Sequence, residues 1–214
     1  MVMPSVMSFS IEAGEVSRRE PYIRVWESRE GLGILYGMVE VTAGPPKQVA
    51  AIVWEGIEEG LKDGRLTVTK YLQTALAHAH DHLRQYAGRG WRAGATLISI
   101  RPNEFYIGRA GPSLVCLFSG GRLVRPGAAS EKVQGSGPAL GEDKDLPVPH
   151  VDRQTVREGD IFLMGWTALG RLTSDAALHA LMATGVENSI QSLYRLLKSE
   201  KESALLVAGF RNAS

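Results

Sequence analysis

The chain has 214 residues, 44% of them hydrophobic, with 24 Lys and Arg against 23 Asp and Glu. That length and apolar content suit one compact domain spanning 1–214, and leave no room for two of comfortable size. The balanced charge, with no long basic run, argues against a nucleic-acid partner. No apolar run approaches the roughly 20 residues of a membrane span.

The single cysteine, Cys116, sits in the apolar stretch Leu-Val-Cys-Leu-Phe, where a lone thiol behaves as a small buried hydrophobe and forms no internal disulfide. The opening residues Met-Val-Met-Pro-Ser carry no positive n-region, so no signal peptide and a cytoplasmic location are expected.

In chain order, residues 5–11 and 21–27 read as strands, the second rich in β-formers. Residues 33–41, Gly-Ile-Leu-Tyr-Gly-Met-Val-Glu-Val, form an almost unbroken apolar run, as a strand buried on both faces would. Gly44-Pro45-Pro46 breaks the chain. Val49, Ile52, Val53, Ile57 and Leu61 then recur at helical spacing, and Asp63-Gly64 ends that helix. A second helix opens at Thr67 or Thr69 and carries its stripe on Leu72, Leu76, Ala79, Leu83 and Tyr86 before Gly88-Arg-Gly90. Strands follow near 94–100, 104–110, 113–119 and 122–125, with Pro102-Asn103 and Gly120-Gly121 as turns. Residues 126–149 form the longest irregular stretch. Two more strands, 150–156 and 160–165, flank Glu158-Gly159. A helix capped by Thr173 or Ser174 runs to about Ala183. Another carries Ile190, Leu193, Tyr194 and Leu197, and 204–210 closes as a strand. Blocks of strands and helices without strict alternation predict an α+β fold, with sheet on sheet and helices outside.

Several short motifs stand in a telling order: Gly14-Glu-Val-Ser-Arg-Arg-Glu-Pro-Tyr22, Tyr36-Gly-Met-Val-Glu-Val41, Gly94-Ala-Thr96 and Gly108-Arg-Ala-Gly-Pro-Ser113. Leu140-Gly141, Gly159-Asp-Ile-Phe-Leu-Met-Gly-Trp166 and Lys201-Glu-Ser-Ala204 follow. Together they resemble the PPM-type (type 2C) metal-dependent serine/threonine phosphatases, with a flap as short as in the bacterial sporulation and stress-response branch. The resemblance implies a four-layer αββα sandwich of two mainly antiparallel sheets flanked by helices, with the site at one end of the paired sheets.

In that family two Mn²⁺ or Mg²⁺ ions activate a bridging water that attacks phosphorus. Two such ions close together require several converging carboxylates. Carried over by position, the family's acids fall on Tyr22, Glu40 (followed by Val41), Pro112, Trp166 and Lys201, with Glu202 beside the last. Glu40 alone keeps the character of a ligand. The family's phosphate-gripping arginine falls on Ser17. Arg19 is expected to share that strand face, since side chains alternate, and to offer a substitute phosphate contact. The resemblance therefore implies a pseudophosphatase: no catalytic residues, no metal and no cofactor, acting as a regulatory module that binds a protein, with a phosphoprotein or a kinase as candidates. The alternative is a divergent metal-dependent phosphatase using one Mn or Mg held by Glu40, Glu202 and Asp160.

Other constellations carry less. His78 and His82 share a helix side at ligand spacing, but no third ligand is near in sequence, and His80 points away. A polar helix face is the reading. Gly135-Ser-Gly-Pro lacks the Lys-Ser/Thr of a phosphate loop. Arg18, Arg19, Arg24 and Arg29 read as a solvated strand edge. Ser113, His150 and Asp152 lack a nucleophile elbow. A layered amidohydrolase with an N-terminal nucleophile would need Ser5 exposed, behind Met-Val-Met-Pro.

Overall fold

The computed structural model describes residues 2–29, 32–62, 67–126, 138–142, 145–146, 148–149 and 151–212. Asp63-Gly64, Gly135 to Gly137 and His150 lie outside these. The strands are β1 (Val2–Glu12), β2 (Glu15–Ser17), β3 (Ile23–Arg29), β4 (Gly33–Ala43), β5 (Arg92–Arg101), β6 (Glu104–Ala110), β7 (Leu114–Ser119), β8 (Arg122–Val124), β9 (Val151–Thr155), β10 (Ile161–Gly165) and β11 (Glu202–Asn212). The helices are α1 (Pro46–Gly60), α2 (Val68–Arg84), α3 (Thr167–Leu172), α4 (Asp175–Met182) and α5 (Val186–Leu197).

The strands make two sheets, one ordered β2-β1-β11-β10-β7-β8 and the other β3-β4-β5-β6-β9. Every pairing between them is antiparallel. The sheets lie face to face over an aromatic seam, in which Phe105 meets Phe162 edge-on at 5.2 Å and stacks on Phe210 at 6.1 Å. Such pairs add to the area they bury.

Alternation assigns the opposite faces to the helices. Gly37 and Gly108 on the five-stranded sheet lie under Trp54 of α1 and Leu72 of α2. Leu114, Cys116, Leu163, Leu205 and Val207 on the six-stranded sheet form a second core with Leu178 of α4 and Ile190 and Leu193 of α5. The result is the αββα sandwich expected from the sequence.

Local signals explain where the helices start. Pro46 opens α1, where a missing N–H costs nothing. Thr67, not Thr69, caps α2 by accepting the Lys70 N–H at 3.3 Å. The two helices cross very closely. A Cβ on Gly56 would stand 2.6 Å from the Ala79 Cα, and one on Gly60 equally near the Ala75 Cα. Gly and Ala on facing stripes permit that approach. Ser174 caps α4.

Three features differ from the sequence expectation. The first and last strands run further, pairing along Val2–Glu12 and Glu202–Asn212. The three-residue β2 hairpins onto β1, too short to show a period. The six-residue α3 follows β10 directly, and its capping group is distant in sequence.

Candidate functional site

At one end of the sandwich, β4 and β11 deliver their ends beside the turn from β10 into α3. Glu40, Val41, Thr42, Trp166, Thr167, Ala168, Arg171, Glu200 and Glu202 line a cleft of about 390 Å³ there. The neighbouring Tyr22, just before β3, is fully buried.

Glu40 projects from β4 into the inter-sheet layer and is 7% exposed. One carboxylate oxygen accepts the Thr167 N–H at 2.8 Å, and the other accepts the Thr167 hydroxyl. Trp166 is the residue before α3 and has no capping side chain of its own. Glu40 therefore does from across the seam what Ser, Thr or Asp usually does locally, satisfying an orphan N–H at a helix start. Burial pushes the Glu40 carboxyl up to about 7, against the two Thr167 bonds and the Arg171 charge, which favour ionisation.

Trp166 lies over Tyr22, ring centroids 5.0 Å apart, and its Nε1 donates to the Val39 carbonyl at 2.9 Å. The Tyr22 hydroxyl donates to one oxygen of Glu202, whose other oxygen accepts the Ala13 N–H at 3.2 Å. Burial first, then the Glu202 hydrogen bond and the charges of Glu202 and Glu12, push the Tyr22 phenol far up. It remains a neutral donor at any physiological pH.

The structure thus brings Tyr22, Glu40, Val41, Trp166 and Glu202 together. Pro112 sits close by in the turn after β6, its carbonyl against Gly94, where a Cβ would come within 2.0 Å of that oxygen. Gly94 is the β5 partner of Glu40. The Lys201 carbonyl accepts the Gly14 N–H at 2.9 Å, and its side chain is exposed outside the cleft lining.

Two expectations are corrected. β2 ends at Ser17, so Arg19 falls in the following turn and alternation no longer applies. Arg19 is exposed and does not line the cleft. Asp160 stands at the opposite end of β10 from Trp166, about 20 Å away at ~3.3 Å per strand residue. Its carboxylate accepts the Arg157 N–H at 2.9 Å in its own turn. Glu40, Glu202 and Asp160 therefore do not meet.

Thr167, Arg171 and Glu200 were missed by sequence reasoning. Nothing local marks them: α3 brings Thr167 and Arg171 beside Glu40, and the turn before β11 brings Glu200.

A pair of dications requires several convergent oxygen ligands. Among the described residues no group of three or more His, Cys, Asp or Glu is placed to hold an ion. Glu40 and Glu202 use both carboxylate oxygens on protein donors. This donor set does not fit a two-ion centre. Elsewhere, His82 pairs with Glu59 of α1 at 2.6 Å, and His80 is buried with its Nδ1 3.4 Å from the Gly141 N–H. Arg24 pairs with Glu58 and lies over Trp54.

No protein-family model and no curated protein matches the chain. Solved structures do. The catalytic domain of the serine/threonine protein phosphatase PstP, determined with two manganese ions, has a TM-score of 0.72 and 16% identity. That match covers 99% of this chain and 100% of that one. Stp1 of Staphylococcus aureus has a TM-score of 0.75 at 12% identity, covering 99% and 96%. PppA of Pseudomonas aeruginosa, described as a key regulatory component of a type VI secretion system, has a TM-score of 0.72 at 18% identity, covering 97% of each chain. The chain has the fold of the PPM serine/threonine phosphatases. Among the described residues no helix is long and apolar enough to cross a membrane.

Proposed function

We propose that this chain is a PPM-fold pseudophosphatase, one domain that works by binding a protein partner and not by hydrolysing phosphoesters. One observation carries the reading. At the end of the sandwich where Glu40 and Glu202 stand, each carboxylate is hydrogen-bonded within the protein, and the Tyr22 and Trp166 rings pack against each other beside them. Dications would have to break the α3 cap and the Tyr22 link to free Glu40 and Glu202, and with Glu200 the cleft lining offers three carboxylates, too few to balance two such ions. A regulatory role is supported by likeness to PppA, itself described as a regulatory component. Phosphoproteins and kinases are the natural partner classes for such a scaffold. A reducing cytoplasmic setting suits the lone buried Cys116.

The test is calorimetric titration with Mn²⁺ and Mg²⁺, beside hydrolysis of a phosphomonoester and of a phosphothreonyl peptide with and without Mn²⁺. No saturable heat and no metal-dependent turnover above a mock preparation are expected. Mn²⁺-dependent turnover that disappears in Glu40→Gln would overturn the proposal and establish the divergent enzyme in its place.

A further inference from the structure

We propose that the groove between α4 and α5 is the docking site for an amphipathic helix of a protein partner, apolar on its buried face and acidic along its flanks. The inference deepens the binding-module reading and rests on it for the kind of partner sought.

The groove lies on the outer helix layer, away from the inter-sheet seam. Ala177 and Ala180 of α4 and Ser192 of α5 are its small residues. Leu181, Leu196, Thr173 and Arg195 complete a cavity of about 520 Å³. Small side chains between larger ones leave a trough that an aliphatic side chain can enter.

Helix α4 itself is unusual for a surface helix. Its sequence, Asp-Ala-Ala-Leu-His-Ala-Leu-Met, buries Leu178 and Met182 beneath, yet its outward face shows Ala176, Ala177 and Ala180. A solvated helix normally turns charged residues outward. Leu172, just before the groove, is 42% exposed. At ~1.5 Å per residue α4 is about 12 Å long, room for about two turns of a partner helix.

Charge decides among occupants. The acidic residues of this layer are already engaged: Asp175 with Arg125, and Glu187 with Arg211. Glu200 faces the cleft of the candidate site. The cations Arg195 and Lys198 have no ion-pair partner among the described residues, while the Arg171 charge acts on Glu40. Arg195 lines the groove, Lys198 is one turn further along the chain, and Arg171 precedes Thr173 by two residues. An apolar trough with a cationic rim matches a helix that presents leucines inward and carboxylates at its sides, the helix-in-groove mode of recognition. Arg171 also lines the candidate-site cleft, so a helix seated here reaches the edge of that cleft.

The probe is a stapled, fluorescein-labelled helical peptide with leucines at i, i+4 and i+7 flanked by glutamates, read by fluorescence anisotropy and by amide shift mapping on the whole chain. Micromolar binding with shifts confined to α4 and α5 is expected. Ala180→Arg, which fills the trough, and Arg195→Glu, which reverses the rim, should each weaken it at least tenfold with the melting temperature unchanged. Exchanging the peptide's glutamates for lysines should restore binding to Arg195→Glu. No binding below millimolar peptide, equal binding by both variants, or shifts elsewhere would overturn the inference. So would a concentration-dependent dimer abolished by Ala180→Arg, or binding to phosphatidylglycerol vesicles in place of peptide. Failure here with silent metal titrations removes the groove and leaves the inactive centre standing. Metal-dependent turnover with groove binding intact does the reverse.

Discussion

Glu40→Gln separates the two roles a carboxylate could play at this position. In the folded protein burial holds Glu40 near 7, against an ordinary value of 4.5. At ~1.4 kcal/mol per pH unit, that displacement corresponds to about 3 kcal/mol. The sign follows from proton binding. Between these pH values the folded protein keeps a proton that the unfolded chain has released. The contribution to stability is therefore complete below about 4.5 and is lost as pH rises through about 7. Glutamine is neutral throughout and keeps a carbonyl to accept the Thr167 N–H. Urea unfolding of both proteins in EDTA should show the variant gaining on wild type by about 3 kcal/mol between pH 4.5 and pH 8. Parallel pH profiles would refute the reasoning. A wild type that gains on the variant as pH rises would refute it more strongly, since that pattern requires an ionised carboxylate with a strong partner.

Three further substitutions and one reagent probe the same architecture. Tyr22→Phe deprives Glu202 of its hydroxyl donor and should cost about 1–2 kcal/mol in chemical denaturation, with metal titrations unchanged. Trp166→Ala removes a nearly buried ring and its bond to the Val39 carbonyl. It should cost ~3–5 kcal/mol, visible as a large drop in melting temperature. Gly94→Ala places a methyl group 2.0 Å from the Pro112 carbonyl oxygen, so the β6–β7 turn must move. A loss above ~2 kcal/mol, or insoluble protein, is expected on expression and thermal melting. Burial pushes the Cys116 thiol up to about 11, so Ellman's reagent at pH 8 should leave native protein unmodified and react promptly once urea is added.

Periodicity made the scaffold legible. The stripe of Leu72, Leu76, Ala79 and Leu83 points one way on α2, and the apolar run 33–41 is an interior strand of its sheet. These signals depend on near neighbours in the chain. The same dependence explains the failures. Helix α3 has six residues, and its cap, Glu40, lies 127 residues away; no window contains both. Arg19 was placed by alternation that a three-residue strand could not sustain. At the candidate site, motif order pointed to Tyr22, Glu40, Pro112, Trp166 and Lys201; the fold gathers Tyr22, Glu40 and Trp166 with Glu202, the neighbour of Lys201, while the Lys201 side chain lies outside the cleft lining. The hydrogen bonds that occupy them run through Thr167, Ala13 and the Val39 carbonyl, groups with no sequence signature.

The bonds from Tyr22 to Glu202, from Trp166 to the Val39 carbonyl and from Thr167 to Glu40 all join one sheet to the other, and all at the same end. They act as rivets along one margin of two plates that elsewhere meet largely through oily contact, which has no directional preference. Sliding or hinging of the plates should therefore pivot about that margin and open first at the far side, where Phe105 and Phe210 stack. The protein's own donors bridge that margin, and they cannot be withdrawn with a chelator.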